Sequence, residues 1–282
     1  LYRAVDTGGT PDFRLVTELD ASAIAYLDDG SRNEGQLDVT RQGIRGRLDG
    51  ALVFDPGLLV KLTGSRIELG HGSQLLAEGL ESNPVTLTSI LDDRYGAGGT
   101  FDTNNDNDTL GGDSPPSRGD WSGIYASPTA FISVDNALIA YGGGISLIGG
   151  ETKGFAPIEL QQADGRITNS RFEFNNDGQD GSGPIGRDGR LAITPATIFA
   201  RGTQPIIVGN EFVDNRGTII AIDSDSLIAD YVLDVGRQTG SSERLVELDD
   251  NHGPLIRDNR YENVPADDDA EKQISGLDVR GG

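Results

Sequence analysis

Between Leu48 and Ser89 the apolar residues fall into runs only four to six residues long: ALVF from Ala51, LLVKL from Leu58, RIEL from Arg66, QLLAEG from Gln74 and PVTLTS from Pro84. The words between them, DPG, TGS, GHGS and LESN, are rich in turn formers. Runs this short, bounded by Gly, Pro, Asn and Ser, predict strands and not helices. Within a run the period is two. Ile67 and Leu69 point one way while Arg66 and Glu68 point the other, and Val85 and Leu87 alternate with Thr86 and Thr88. Each strand therefore has one buried and one wet face. The runs begin seven to ten residues apart with no helix between them. That rhythm suits strands wound around one apolar axis.

A repeat reinforces this reading further along. Val134, Asn136, Ile139 and Tyr141 have the spacing of Ile167, Asn169, Phe172 and Phe174. Ile207 and Phe212 keep the five-residue step, as do Ile256 and Tyr261, and Asn210 and Asn259 each lie two before the aromatic ring. The leading residues are 33, 40 and 49 residues apart. Unequal intervals around equal words imply one constant corner, with loops of different length inserted elsewhere. Asn suits such a corner, because it tolerates left-handed backbone angles and its amide can bond an Asn one turn of the coil away. The axis-facing set is expected to be Leu59, Ile67, Leu69, Val85, Leu87, Ile124, Val134, Ile139, Ile167, Phe172, Ile207, Phe212, Ile220, Ile256 and Tyr261.

Residues 1–47 stand apart. LYRAVD, TGGTPD and FRLVTEL read as strand, turn, strand, ASAIAYLDDG adds a short strand, and residues 35–47 form a polar connector. The stretch looks like the middle of a fibronectin type III-like sandwich. It is expected to be a β-rich cap or the remnant of a preceding domain, since an open coil exposes an apolar end and unpaired strand edges. The coil domain is expected over residues 48–282.

The words VFDPGLLVKL, IELGHGSQLLAEG, PVTLTS, GDWSGIY, ITNSRFEFNN and IIVGNEFVDN resemble right-handed parallel β-helix (solenoid) repeat proteins of the pectate-lyase-like superfamily. With the insertion DDRYGAGGTFDTNND and the ending GLDVRGG, the chain looks more narrowly like β-helix segments within very large secreted or surface proteins of aquatic bacteria. The resemblance covers residues 48–282. It implies an all-β solenoid with long loop insertions, acting as a non-catalytic extracellular scaffold or adhesive module. Its partners would be neighbouring domains, copies of the same large protein, or polysaccharide. Enzymes that cleave acidic polysaccharides share the coil, so a lyase or hydrolase is the alternative, and a carbohydrate-binding module is a third.

Composition narrows the field. With 40 Gly and 35% hydrophobic residues among 282, the apolar content suits a narrow core. A net charge of −22, with lysine only at positions 61, 153 and 272, repels phosphate backbones and excludes nucleic acid as a partner. Such a surface attracts divalent cations, but a solvated acidic face is the simpler account of the charge. No apolar run approaches the ~18 residues of a membrane span. Cysteine is absent, so there is no thiolate ligand or nucleophile. Methionine is also absent and the first residue is Leu1, so the chain is expected to be a piece of a longer polypeptide.

The clearest candidate for chemistry is the long polar interruption at residues 90–120. Asp102, Asn104, Asp106 and Asp108 alternate, and Asp113 follows at position twelve counted from Asp102. Oxygen-bearing side chains so spaced curl around Ca²⁺, which takes six to eight oxygens. The stretch departs from an EF-hand loop: Asn107 replaces the turn Gly, Asp113 replaces the bidentate Glu, and no flanking helices are evident. Three acidic groups are weaker candidates: Asp177, Asp180 and Asp188; Asp223, Asp225 and Asp230; and Asp267 to Asp269.

The hydrolase reading has one word in its favour, Gly70-His71-Gly72, with Asp pairs at Asp92-Asp93 and Asp249-Asp250. The resemblance would require a downstream Arg-Ile-Lys, which is absent, and a His that follows the Asp words, whereas His71 precedes them. GHG reads as an ordinary turn between RIEL and QLLAEG, and His252 reads as a loop residue. Trp121, the one tryptophan, is either core or a sugar-stacking platform beside Tyr95 and Tyr125.

Overall fold

The computed structural model describes residues 2–5, 12–15, 50–95, 115–178, 187, 192–227, 234–239, 254–262 and 275–280. The chain divides into two compact units, Leu1–Leu48 and Asp49–Gly282. In the first, β1 (Tyr2–Val5) and β2 (Asp12–Leu15) pair antiparallel, Tyr2 opposite Leu15.

The second unit is all-β and solenoid-like. Its strands visit three sheets in strict rotation. The first circuit is β3 (Ala51–Phe54), β4 (Leu59–Leu62) and β5 (Arg66–Leu69). The second is β6 (Gln74–Glu78), β7 (Val85–Ser89) and β8 (Gly123–Ala126). The third begins with β9 (Phe131–Asp135) and β10 (Ala137–Ala140), inserts an antiparallel hairpin, β11 (Ile145–Ile148) and β12 (Glu151–Gly154), and closes with β13 (Ile158–Gln161). The fourth is β14 (Asp164–Thr168), β15 (Arg171–Glu173) and β16 (Ala196–Arg201), and the fifth is β17 (Ile206–Val208), β18 (Glu211–Val213) and β19 (Thr218–Asp223). The sixth is β20 (Leu255–Arg257), β21 (Arg260–Glu262) and β22 (Ser275–Arg280). Apart from the β11–β12 hairpin, every strand of this unit pairs in parallel with its counterparts one circuit away, giving three six-stranded sheets.

Register makes like residues stack. The first sheet carries Phe54, Ala77, Val134, Ile167, Ile207 and Ile256 in one inward column. The second carries Val60, Leu87, Ile139, Phe172, Phe212 and Tyr261. The third carries Ile67, Ile124, Ile158, Ile198, Ile220 and Leu277. Together with their neighbours most of these form one core, from Phe54 to Ile222, with Ile256 packed against it. Phe172 lies on Phe212 at 5.0 Å between ring centroids, and Phe212 on Tyr261 at 5.7 Å.

One expected axis-facing residue, Leu59, is corrected. Leu59 lies opposite Thr86, and Val60 lies opposite Leu87, so Val60 is the inward residue and Leu59 faces outward; with a period of two, an error of one position reverses the face. Tyr261 belongs to the inward column but is 42% exposed, because its ring has a neighbour on one side only, in the last circuit.

The constant corner lies between the first and second sheets, and it divides two tasks that the sequence assigned to one Asn. Asn136, Asn169, Gly209 and Asp258 hold the left-handed backbone, with φ of 47°, 49°, 70° and 57°. The next residue makes the ladder. The Asn210 carboxamide oxygen accepts from the Ser170 N–H at 3.0 Å, and Asn210 Nδ2 donates to Asn259 Oδ1 at 3.0 Å. A second corner, after the second sheet, repeats the scheme: Tyr141, Phe174 and Asp214 take φ of 58°, 54° and 49°. There Asn175 Nδ2 donates to Asn215 Oδ1 at 2.8 Å. The longer insertions lie elsewhere, between the second and third sheets and between the third and first. Gly123 opens β8 at φ 142°, where an added Cβ would stand 2.2 Å from the Ala156 carbonyl oxygen, so no side chain fits.

Candidate functional site

The alternation that buries Leu87, Ile139, Phe172 and Phe212 turns their neighbours outward. Thr86, Leu138, Arg171, Glu211 and Arg260 therefore align along the outer face of the second sheet. Above this line lies a groove of about 560 Å³, whose lining includes Arg171, Glu211 and Arg260 with Glu81, Tyr95 and Asp258. One wall is the turn closed by paired backbone bonds between Leu80 and Asn83.

Charge in and beside the groove is organised as a chain of pairs. Arg171 Nε donates to Glu173 Oε2 at 2.9 Å, and Arg171 Nη1 donates to Glu211. Arg94 donates to Asp92 Oδ1 at 2.8 Å through Nε and to Glu173 Oε1 at 3.0 Å through Nη2. Its guanidinium lies 5.1, 5.3 and 5.2 Å from the ring centroids of Tyr95, Tyr141 and Phe174. Burial alone would lower the Arg94 pKa, but the Asp92 and Glu173 carboxylates outweigh it and raise it. The Tyr95 hydroxyl donates to Glu173 Oε1 at 3.2 Å. Burial, with Glu173 second, pushes Tyr95 up to about 12, and burial pushes Tyr141 up to about 12 as well. At neutral pH these tyrosines are hydroxyl donors and not bases. The surface can bind a hydroxylated or charged chain by hydrogen bonds, with Asp92, Glu173 and Glu211 each already facing an arginine.

A second polar cluster lies on the outer face of the first sheet, under residues 234–239, and is buried. Glu78, Asp135, Arg166, Asp234 and Arg237 are each less than a tenth exposed. Glu78 Oε2 accepts from Thr239 N and Thr239 Oγ1, both at 2.6 Å, and its Oε1 accepts from Gln238 N at 2.8 Å. Arg237 pairs with Asp135 and donates to the Gly79 carbonyl at 2.8 Å, while Arg166 pairs with Asp234 at 3.0 Å. Burial of charge is tolerable here because each group has an opposite charge or several hydrogen bonds. This cluster fastens a late segment across strands 68 to 161 residues earlier.

The expected calcium ligands Asp102, Asn104, Asp106, Asp108 and Asp113 lie outside the described residues, as do Asp180, Asp188, Asp230, Asp249, Asp250, His252 and Asp267 to Asp269. Among the described residues no group of three or more His, Asp or Glu is placed to hold a metal ion. His71 sits in the turn between β5 and β6, its Nδ1 at 2.9 Å from the Pro128 carbonyl oxygen. Asp92 bonds Thr88 and Arg94, and Asp93 pairs with Lys61 at 3.1 Å, so this pair is held in ion pairs apart from the GHG turn. Asp223 pairs with Arg201 at 3.2 Å, and Asp177 is buried. Trp121 is fully buried and donates to the Ala140 carbonyl at 2.8 Å, so it is core and not a platform.

Sequence reasoning missed Arg171, Glu211 and Arg260. The signal was present: RFE, EFV and RYE carry a ring at the middle position, and the flanking charges must then face out. No family model matches the chain, no curated protein is significantly similar to it, and no solved structure matches it.

Proposed function

We propose that residues 49–282 form a right-handed parallel β-helix that serves as a non-catalytic, extracellular structural or adhesive module of a large bacterial surface or fibre-forming protein. The observation that carries this reading is the continuity of one apolar core through six circuits, reinforced by stacked rings and Asn ladders. Such a stack is stiff, and its load is spread over many parallel strand pairs. The right hand follows from strand twist, which makes parallel crossovers right-handed. Calcium held by Asp102 to Asp113 belongs to the same reading as a stabiliser of the long insertion.

Peptide mapping of the native polypeptide tests the role. It should extend well past both ends of this sequence, and a native product of this length alone would overturn the module reading. Melting with added Ca²⁺ and then with chelator tests the insertion; an unchanged melting temperature rules the ion out.

A second reading, binding or cleavage of an acidic glycan, is favoured by the groove of Arg171, Arg260, Glu81, Glu211 and Asp258. Incubation of the purified chain with pectin and alginate distinguishes the two. New reducing or unsaturated ends would establish the enzyme, and retention of the polymer without cleavage would establish a binding module.

A further inference from the structure

We propose that copies of this chain stack head to tail, the sixth circuit of one pairing with the first circuit of the next, so that all three sheets run on across the junction. The proposal rests on the architectural reading above and names the partner: a second copy.

Among the described residues each sheet ends on an unpaired strand, β3, β4 and β5 at one end and β20, β21 and β22 at the other. Strand edges with free N–H and C=O groups are templates for further strands. Large hydrophobic side chains are exposed at both ends: Leu52, Val53 and Leu58 at the first, and Tyr261, Leu277 and Val279 at the last.

Register decides whether the two ends fit. If each sheet continues with the register that it keeps internally, Ile256 meets Phe54 of the next copy, Tyr261 meets Val60, Leu277 meets Ile67 and Val279 meets Leu69. All four inward pairs are apolar on apolar. The outward positions are matched in the first sheet, where Arg257 falls opposite Asp55; in the second, Glu262 falls opposite Lys61, which already pairs with Asp93 at 3.1 Å. In the third sheet Asp278 falls opposite Glu68, an unfavourable pair moderated by Arg66, which already holds Glu68 at 2.9 Å. The same end turned on itself would place the tyrosine edge against the tyrosine edge with strands antiparallel. It would also lose the column-on-column match. The interface is therefore heterologous and propagates into a filament.

The absence of native cysteine makes the junction directly testable on the full chain. Sedimentation velocity and small-angle scattering over a concentration series should show mass growing in steps of 29.8 kDa at constant cross-section. Oxidation of the Asp55→Cys/Arg257→Cys double variant should give a ladder of covalently linked chains, and neither single variant should link. Leu277→Lys, and independently Leu52→Lys at the opposite end, in the inward column of Leu75 and Ile132, should weaken association by about tenfold or more, because each buries an unpaired charge at the junction. Both should keep the circular dichroism and melting of the parent. A chain that stays monomeric throughout, a single-cysteine variant that forms linked dimers, or a Leu277→Lys variant that associates like the parent would each overturn the stacking. A monomeric chain whose native polypeptide still extends past both ends would overturn this inference alone and leave the module reading standing.

Discussion

The inner columns and the buried outer cluster are equally dry but are built from opposite materials. Inside, Phe172 and Ile139 stack on residues of their own kind, and any apolar shape of the right volume would serve. Outside, under residues 234–239, Glu78, Asp135, Arg166 and Arg237 depend on named partners, and removing one strands another. The first region gains stability from area, which is tolerant. The second gains specificity from pairing, which is not. The outer cluster therefore fixes where one late segment lies, whereas the inner columns set how many circuits hold together.

The contrast breaks most visibly at Phe172. Phe172→Ala should cost about 3–5 kcal/mol in chemical denaturation, because it leaves a cavity between Ile139 and Phe212. Asp135→Leu should cost slightly less, on the order of 3 kcal/mol, and should behave differently when a second change is added. Arg237→Met in the same chain should restore part of the loss, since it removes the charge that Asp135 had balanced. No second substitution of that kind should rescue Phe172→Ala, and a double-mutant cycle reads the difference.

The Asn ladders sit between these extremes, polar but repetitive. Asn210→Ala removes donors and acceptors shared with Ser170, Ile167 and Asn259, and should lower stability by about 1–3 kcal/mol. The smallest effect is confined to alkaline pH. Tyr95 and Tyr141 are raised to about 12 in the folded chain, against about 10 when unfolded. The unfolded state thus loses protons first. The stability contributed below pH ~10 should be lost as pH rises towards ~12, and Tyr141→Phe should flatten that loss. Ultraviolet titration of tyrosinate alongside melting checks both.

Much of the inner region was legible in the sequence, because a period of two and short runs have few other solutions. Val134, Ile167 and Ile207 were aligned by spacing alone and share one column. The error at Leu59 was one of reading and not of signal: in LLVKL the phase of Leu59 includes Lys61, whereas Leu58, Val60 and Leu62 form the apolar phase that pairing with Leu87 places inward. The corner was half read, since spacing located the Asn residues but could not separate the left-handed position from the ladder position beside it. The outer cluster could not be read at all. Glu78, Asp135 and Arg237 are more than fifty residues apart in each pairing, and their charge pointed to solvent. The groove residues Arg171 and Glu211 were hidden for the same reason, as ordinary outward charges of a strand.

The central claim is that six circuits stack in register along one axis, and a single distance tests it. Glu68, in the first circuit, and Asp278, in the sixth, stand in one outward column through Tyr125, Glu159, Phe199 and Ala221. Spin labels on Glu68→Cys and Asp278→Cys, in dilute protein with no native cysteine, should give one distance distribution centred at about 24 Å, five strand spacings. A distribution centred well beyond that, or split into several populations, would contradict the stack.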